Sequence, residues 1–166
     1  MKTLLVIDMQ NDFIDGALGT AEAVSIVEAV KEKILARQAE GWQILYTRDT
    51  HGEDYLTTPE GQKLPVKHCI RGTEGWQIRE GLYLEGCEII DKPTFGWTGW
   101  GSFDFREIEL VGLCTDICVV SNALILKALF PNARITVDSH CCAGVTPDSH
   151  KAALLTMKMC QIEVTE

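Results

Sequence analysis

Glu107-Ile108-Glu109-Leu110-Val111-Gly112-Leu113-Cys114-Thr115-Asp116-Ile117-Cys118 begins as a short strand pattern, turns tightly at Gly112, and enters a helical periodicity that runs on to Leu129. A strand that turns directly into a helix is half of a βα unit, and the same alternation recurs along the chain. Short runs rich in β-branched residues predict strands at Thr3 to Ile7, Gln43 to Thr47, Glu88 to Ile90, Glu107 to Val111, Arg134 to Val137 and Gln161 to Val164. Helical spacing predicts helices across Ala21 to Ala39, Asp116 to Leu129 and Ser149 to Met159. The first ends near Gly41 and the second before Pro131. Strands separated by helices return in the same direction, so the expected fold class is α/β: three α/β/α layers around a central, mostly parallel sheet of five or six strands.

A chain of 166 residues, 46% of them hydrophobic, fills one core, so residues 1–166 are expected to form a single domain without a linker. The 24 acidic residues against 15 basic give a net charge of −9, which repels phosphates and anionic lipid, so no nucleic acid or membrane partner is expected. The apolar run from Thr3 is stopped by Asp8, too early for a signal peptide or a membrane span, and a cytoplasmic location is expected. Seven cysteines without paired spacing read as reduced thiols. Cys87, Cys141, Cys142 and Cys160 lie beside apolar or small residues and read as packing residues.

Ligands of open parallel sheets bind outside the carboxyl ends of the strands, so polar residues there carry most weight. Asp8 closes the first strand, Asp49 and His51 follow the second, Lys92 the third, Cys118 the fourth and Asp138 the fifth. Each alone reads equally well as a cap or turn residue; together they outline one shared site. Cys118 falls in the first turn of a predicted helix, where free N–H groups and the helix dipole stabilise a thiolate and can receive an oxyanion. The competing reading is a cysteine that only packs. Periodicity fails from Asp49 to Leu84, and so long a connection in a small domain is usually functional. A second irregular stretch, Lys92 to Ser102, carries Phe95, Trp97 and Trp100, which suit a pocket wall or a subunit contact.

Three motifs, in this order, are similar to those of the isochorismatase-like cysteine hydrolases, the superfamily that includes the nicotinamidases: Leu4-Leu5-Val6-Ile7-Asp8-Met9-Gln10-Asn11-Asp12-Phe13, then Asp91-Lys92-Pro93-Thr94-Phe95, then Gly112 to Val119. The resemblance extends over nearly the whole chain and implies an isochorismatase-like, Rossmann-like fold. It implies a triad in which Asp8 takes the proton of Cys118, Lys92 holds the aspartate, and the thiolate attacks an amide carbonyl to give a thioester. It also implies an oxyanion hole made by the N–H groups of Cys114 and Cys118, beside a cis Leu113-Cys114 peptide. Asp8 then returns its proton to leaving ammonia before water cleaves the thioester. Asp49-Thr50-His51 with His68 resembles the nicotinamidase metal site, and His68-Cys69-Ile70-Arg71-Gly72-Thr73 resembles the sequence after its last histidine. One carboxylate and two imidazoles suit zinc, with manganese or iron as alternatives. Phe13 matches a pocket-lining position, and Phe95 and Trp97 are candidates to stack on a substrate. Relatives form dimers or tetramers, so a homo-oligomer is expected.

Two departures bear on the substrate. Leu64-Pro65-Val66-Lys67-His68 stands where nicotinamidases place tryptophan and proline before the last histidine, and Asp49 to Leu56 lacks a further histidine and a Ser-Phe pair. The leading expectation is a cysteine amidohydrolase converting nicotinamide to nicotinate and ammonia. A related amidase on another small amide comes second, and a catalytically silent binding member of the fold third. Isochorismate cleavage breaks a vinyl ether without a thioester, which Cys118 argues against. Cys114 and Cys118 are spaced one residue wider than a C-x-x-C redox pair, and His140 and His150 match no motif.

Overall fold

The central strands are apolar on both sides, and such runs are hidden only when helices cover both faces of a sheet. The computed structural model describes all 166 residues and has that architecture. Its strands are β1 (Lys2–Ile7), β2 (Gln43–Asp49), β3 (Glu88–Lys92), β4 (Glu107–Leu113), β5 (Arg134–Ala143) and β6 (Glu163–Thr165). Its helices are α1 (Asn11–Ile14), α2 (Ala21–Ser25), α3 (Val27–Ala39), α4 (Pro59–Lys63), α5 (Val120–Leu129) and α6 (Pro147–Met159). The strands form one sheet in the order β3-β2-β1-β4-β5-β6, with every pairing parallel. Leu4 and Val6 of β1 pack in one core with Val30 and Ile34 of α3; Leu5 and Ile7 pack in the other with Ala123 and Leu126 of α5. The two cores hold 18 and 17 buried residues, so β1 is covered on both sides. The chain leaves β1 toward β2 on one side and reaches β4 on the other, which puts the topological switch point at the carboxyl ends of β1 and β4.

Several elements depart from the sequence reading. β2 and β3 reach Asp49 and Lys92, so these two residues end their strands rather than follow them. β5 runs ten residues, which puts Asp138 in mid-strand. The helix expected over Ala21 to Ala39 is divided at Ile26, where the Ser25 hydroxyl donates to Glu22 O. α6 starts earlier, at Pro147, because Thr146 and Ser149 form a reciprocal capping box. The helix expected from Asp116 opens with a π-type turn, Thr115–Val119, before α5. No helix is long and apolar enough to cross a membrane.

Candidate active site

Glycine is required where β4 passes β1. A Cβ on Gly112 would meet Ile7 O at 2.1 Å, and the residue has φ +120°. This close approach sets the turn after β4 against the residue after β1. Asp8 itself has φ +47°, an uncommon conformation for a residue other than glycine. Its N–H donates to Thr47 Oγ1 at 3.2 Å, and Thr47 Oγ1 donates to Asp8 Oδ1 at 2.6 Å. Lys92 Nζ lies 2.6 Å from Asp8 Oδ2 and 3.5 Å from Cys118 Sγ, and donates to Thr94 O at 3.1 Å. The structure therefore brings Asp8, Lys92 and Cys118 together, and none is more than 4% exposed.

Burial raises the pKa of Asp8 above the ordinary carboxylate range, although Lys92 opposes it. Burial works against the charge of Lys92, but the carboxylate of Asp8 outweighs it and holds the amine firmly protonated. For Cys118, burial and the nearby Asp8 carboxylate push the thiol well above its usual value. Both shifts run against the helix N-terminus, which on its own favours the thiolate.

The turn that carries Cys118 is held from several sides. Ile117 N and Val119 N both donate to Cys114 O at 3.1 Å, while the Leu113-Cys114 peptide is cis and the Cys114 N–H makes no backbone hydrogen bond. Fully buried Asn122 uses its whole amide: Nδ2 donates to Cys118 O (2.8 Å) and Phe95 O (3.1 Å), and Oδ1 accepts from Trp97 N and Trp100 Nε1, both at 3.0 Å. Asn122 thus ties the Lys92 to Ser102 loop to the turn.

Asp49, His51 and His68 also converge, with Glu60 as a fourth member; one ligand atom from each lies within 4.8 Å of the others. His51 reaches the site from the end of β2. His68 is delivered by the returning loop, where His51 N donates to Cys69 O at 3.0 Å and Arg71 N to His51 O at 2.9 Å. Gln10 locks Asp49 by accepting from its N–H (2.8 Å) and donating to its O (2.9 Å), and Asp12 Oδ2 accepts from Cys69 N (2.8 Å). His51 Nε2 lies 2.8 Å, and His68 Nε2 3.6 Å, from Asp49 Oδ2. His68 Nδ1 lies 2.8 Å from Val66 O, which can only accept, so Nδ1 is the donor there and Nε2 faces the cluster. Asp49 Oδ1 is buried without a hydrogen-bond partner. Two imidazole nitrogens and two carboxylates within this distance fit a divalent cation. Sequence reasoning missed Glu60; its only local signal is the helix start Thr58-Pro59, where Thr58 caps Gly61 N.

A cavity in front of Cys118 is lined by Phe13, Phe95, Leu64, Ile117 and the metal-type residues Asp49, Glu60 and His68. Phe13 and Phe95 thus border the space expected for a substrate. Trp97 does not: its ring packs edge-on against Trp100, centroids 4.7 Å apart, and against Phe103. Asp138 also lies outside the site, because its carboxylate pairs with Lys33 of α3 at 2.7 Å. His150, which matches no motif, contacts Thr115 Oγ1 at 2.7 Å through Nδ1. All seven cysteines are free, and Cys160, expected to pack, is exposed.

The isochorismatase domain family model matches residues 2–166. A nicotinamidase/pyrazinamidase from Mycobacterium tuberculosis is 27% identical over 99% of this chain and 98% of its own. The crystal structure of a pyrazinamidase from Pyrococcus horikoshii in complex with zinc superposes with a TM-score of 0.85 at 26% identity, covering 99% of this chain and 98% of that one. A probable inactive nicotinamidase from Arabidopsis thaliana is 28% identical over 93% of this chain and 87% of its own.

Proposed function

The chain belongs to the isochorismatase family, an amide-hydrolysing fold in its similar relatives, and on that premise we propose that it is a cysteine-dependent amidohydrolase with nicotinamide as its leading substrate. The observation that carries the proposal is the contact of Asp8, Lys92 and Cys118 at the switch point of the sheet. It stands beside four groups that fit a divalent cation. A silent binding member of the fold has no need of a buried thiol within 3.5 Å of a buried ammonium.

The proposed chemistry follows from the contact of these three groups. Asp8 takes the proton of Cys118 as the thiolate adds to the amide carbonyl, with the Cys114 and Cys118 N–H groups as donors to the oxyanion. Lys92 remains cationic throughout and offsets the charge that passes between thiolate and carboxylate. The C–N bond then breaks, Asp8 returns its proton to the departing nitrogen as ammonia, and a thioester remains on Cys118. Water gives a proton to Asp8, adds to the thioester and releases the acid; Asp8 reprotonates the thiol. Asp49, His51, His68 and Glu60 would hold the cation, and zinc is our assignment. When bound, it supplies a Lewis-acid anchor for a substrate ring nitrogen.

The test is ammonia release from nicotinamide by purified protein, with and without chelator, beside a panel of other small amides. Chelator-sensitive release from nicotinamide alone supports the reading; release only from another amide moves the function to a sibling amidase. That sibling is the second reading, favoured by Leu64, which borders the cavity at a position where nicotinamidases usually carry an aromatic wall.

A further inference from the structure

The space at Cys118 does not end at the residues that hold the nucleophile. Its inner part is small, about 50 Å³, and reaches Asp49, Glu60, His68 and Cys118. A second chamber of about 260 Å³ adjoins it, with Phe13, Leu18, Leu64, Cys114 and Ile117 bordering both; Thr20 and Val145 line only the outer one. The outer chamber has almost nothing to offer a polar group. Thr20 Oγ1 accepts from Ala23 N as the cap of α2, leaving only its hydroxyl proton as a donor, and the Val145 N–H is taken by the carboxylate of Asp116. Burial and the nearby Asp116 push the Cys114 thiol up to about 12, so this wall carries no charge at neutral pH. An apolar space that shares its walls with the cavity at a nucleophile gains from filling with hydrocarbon and loses from filling with anything hydrated.

We infer that the outer chamber is a binding subsite for an apolar substituent of the amide substrate, so that carboxamides bearing an alkyl or aryl group are preferred over bare small amides. The inference rests on the reading that Cys118 attacks a carboxamide. The substituent can sit on the acyl side or on the amide nitrogen, and its chemistry is the same in either place.

The experiment uses two series built on nicotinamide, with methyl, ethyl and propyl either on the ring or on the amide nitrogen, and measures kcat/KM from the acid formed. In one series kcat/KM should rise about threefold per added carbon, close to thirtyfold at propyl. In Val145→Trp, and independently in Thr20→Trp, the ratio of propyl to unsubstituted substrate should fall to near one. Binding of the same compounds to Cys118→Ala, measured by calorimetry, gives a readout that needs no turnover. Affinity that climbs with chain length, and does so only while Val145 is unchanged, supports the subsite even if no amide is hydrolysed and the hydrolase reading fails. Nicotinamide turnover with flat or falling values in both series overturns the subsite and leaves the hydrolase reading standing.

Discussion

Two charge clusters share this sheet, one half-buried and one fully buried, and they are completed differently. Against α3, Glu109 Oε1 and Asp138 Oδ2 both pair with Lys33, at 2.9 and 2.7 Å, and Glu109 Oε2 pairs with Arg37 at 2.5 Å. Asp138 Oδ1 accepts from His140 N at 3.0 Å, so every oxygen of the two carboxylates has a partner, and two cations balance them. At the carboxyl ends of β1, β2 and β3, by contrast, Asp8 and Asp49 share the single ammonium of Lys92, at 2.6 and 3.7 Å. Lys92 is close to Asp8 Oδ2 but out of hydrogen-bond alignment with it, and Asp49 Oδ1 has no donor. Buried polar groups are ordinarily satisfied, so an incomplete cluster beside a complete one accords with the function proposed for this end of the sheet.

The largest contrast should appear in turnover. Cys118→Ala should lower kcat at least ~10⁴-fold while the far-UV spectrum and thermal midpoint stay close to wild type. Lys33→Met should keep turnover per folded molecule within about twofold, because nothing in its cluster faces the cavity. Comparable losses in both variants would erase the distinction. Metal dependence should be the next largest effect. His51→Ala, assayed for bound metal by atomic absorption, should lose cation and about 10- to 100-fold in kcat/KM together. An unchanged metal content would remove His51 from the ligand set.

Stability sharpens the comparison in the other direction. Removing one partner from a buried pair leaves an uncompensated charge and costs about 3 kcal/mol or more. Lys92→Met should reach that figure in urea unfolding, because buried Asp8 then has no cation. Lys33→Met should cost less, about 2 kcal/mol, because Arg37 still holds Glu109. Equal losses would mean that Arg37 does not share the load.

What the sequence made legible follows from how locally each feature is determined. β1 and β4 read clearly because both their faces are buried and their apolar runs are continuous. Asp8, Asp49, Lys92 and Cys118 could be placed near one another because they stand at strand ends or in the turn after one, while the roles expected of them came from the family resemblance. Glu60 could not, since its place depends on a long loop folding back until Ile70 bridges to His51 and Ile78 to Gln10. Asp138 was assigned to the wrong cluster because the end of a ten-residue strand was read too early. Trp97 was drawn from the substrate wall by Trp100 and Phe103, neighbours chosen only in the folded chain. The same holds for Asn122, whose four hydrogen bonds join segments that the sequence keeps apart.

The smallest effect is the pH dependence of the complete cluster. Burial works against the charge of Asp138, but its bond to Lys33 outweighs this and holds the carboxyl below the ordinary range. A carboxyl with a depressed folded pKa contributes stability above its unfolded value, about 3.9, and loses it as pH falls from there through the folded value. Lys33 is raised in turn: burial opposes its charge, and Asp138 and Glu109 overcome it. While Asp138 and Glu109 stay ionised, its share is fully present below the unfolded lysine value, about 10.4, and is lost as pH rises above it. In urea unfolding between pH 7 and pH 2.5, the gap between wild type and Lys33→Met should hold from pH 7 to about 5 and then narrow as Asp138 takes up its proton. Raising the salt to 1 M at pH 7 should shrink the gap less than it would for an exposed pair, because Asp138 and Glu109 keep only 11% and 4% of their side-chain surface exposed. A gap that stays constant down to pH 2.5 would mean that the lysine stem packs against the sheet and the charges contribute nothing, and the two clusters would then differ in packing rather than in electrostatic completion.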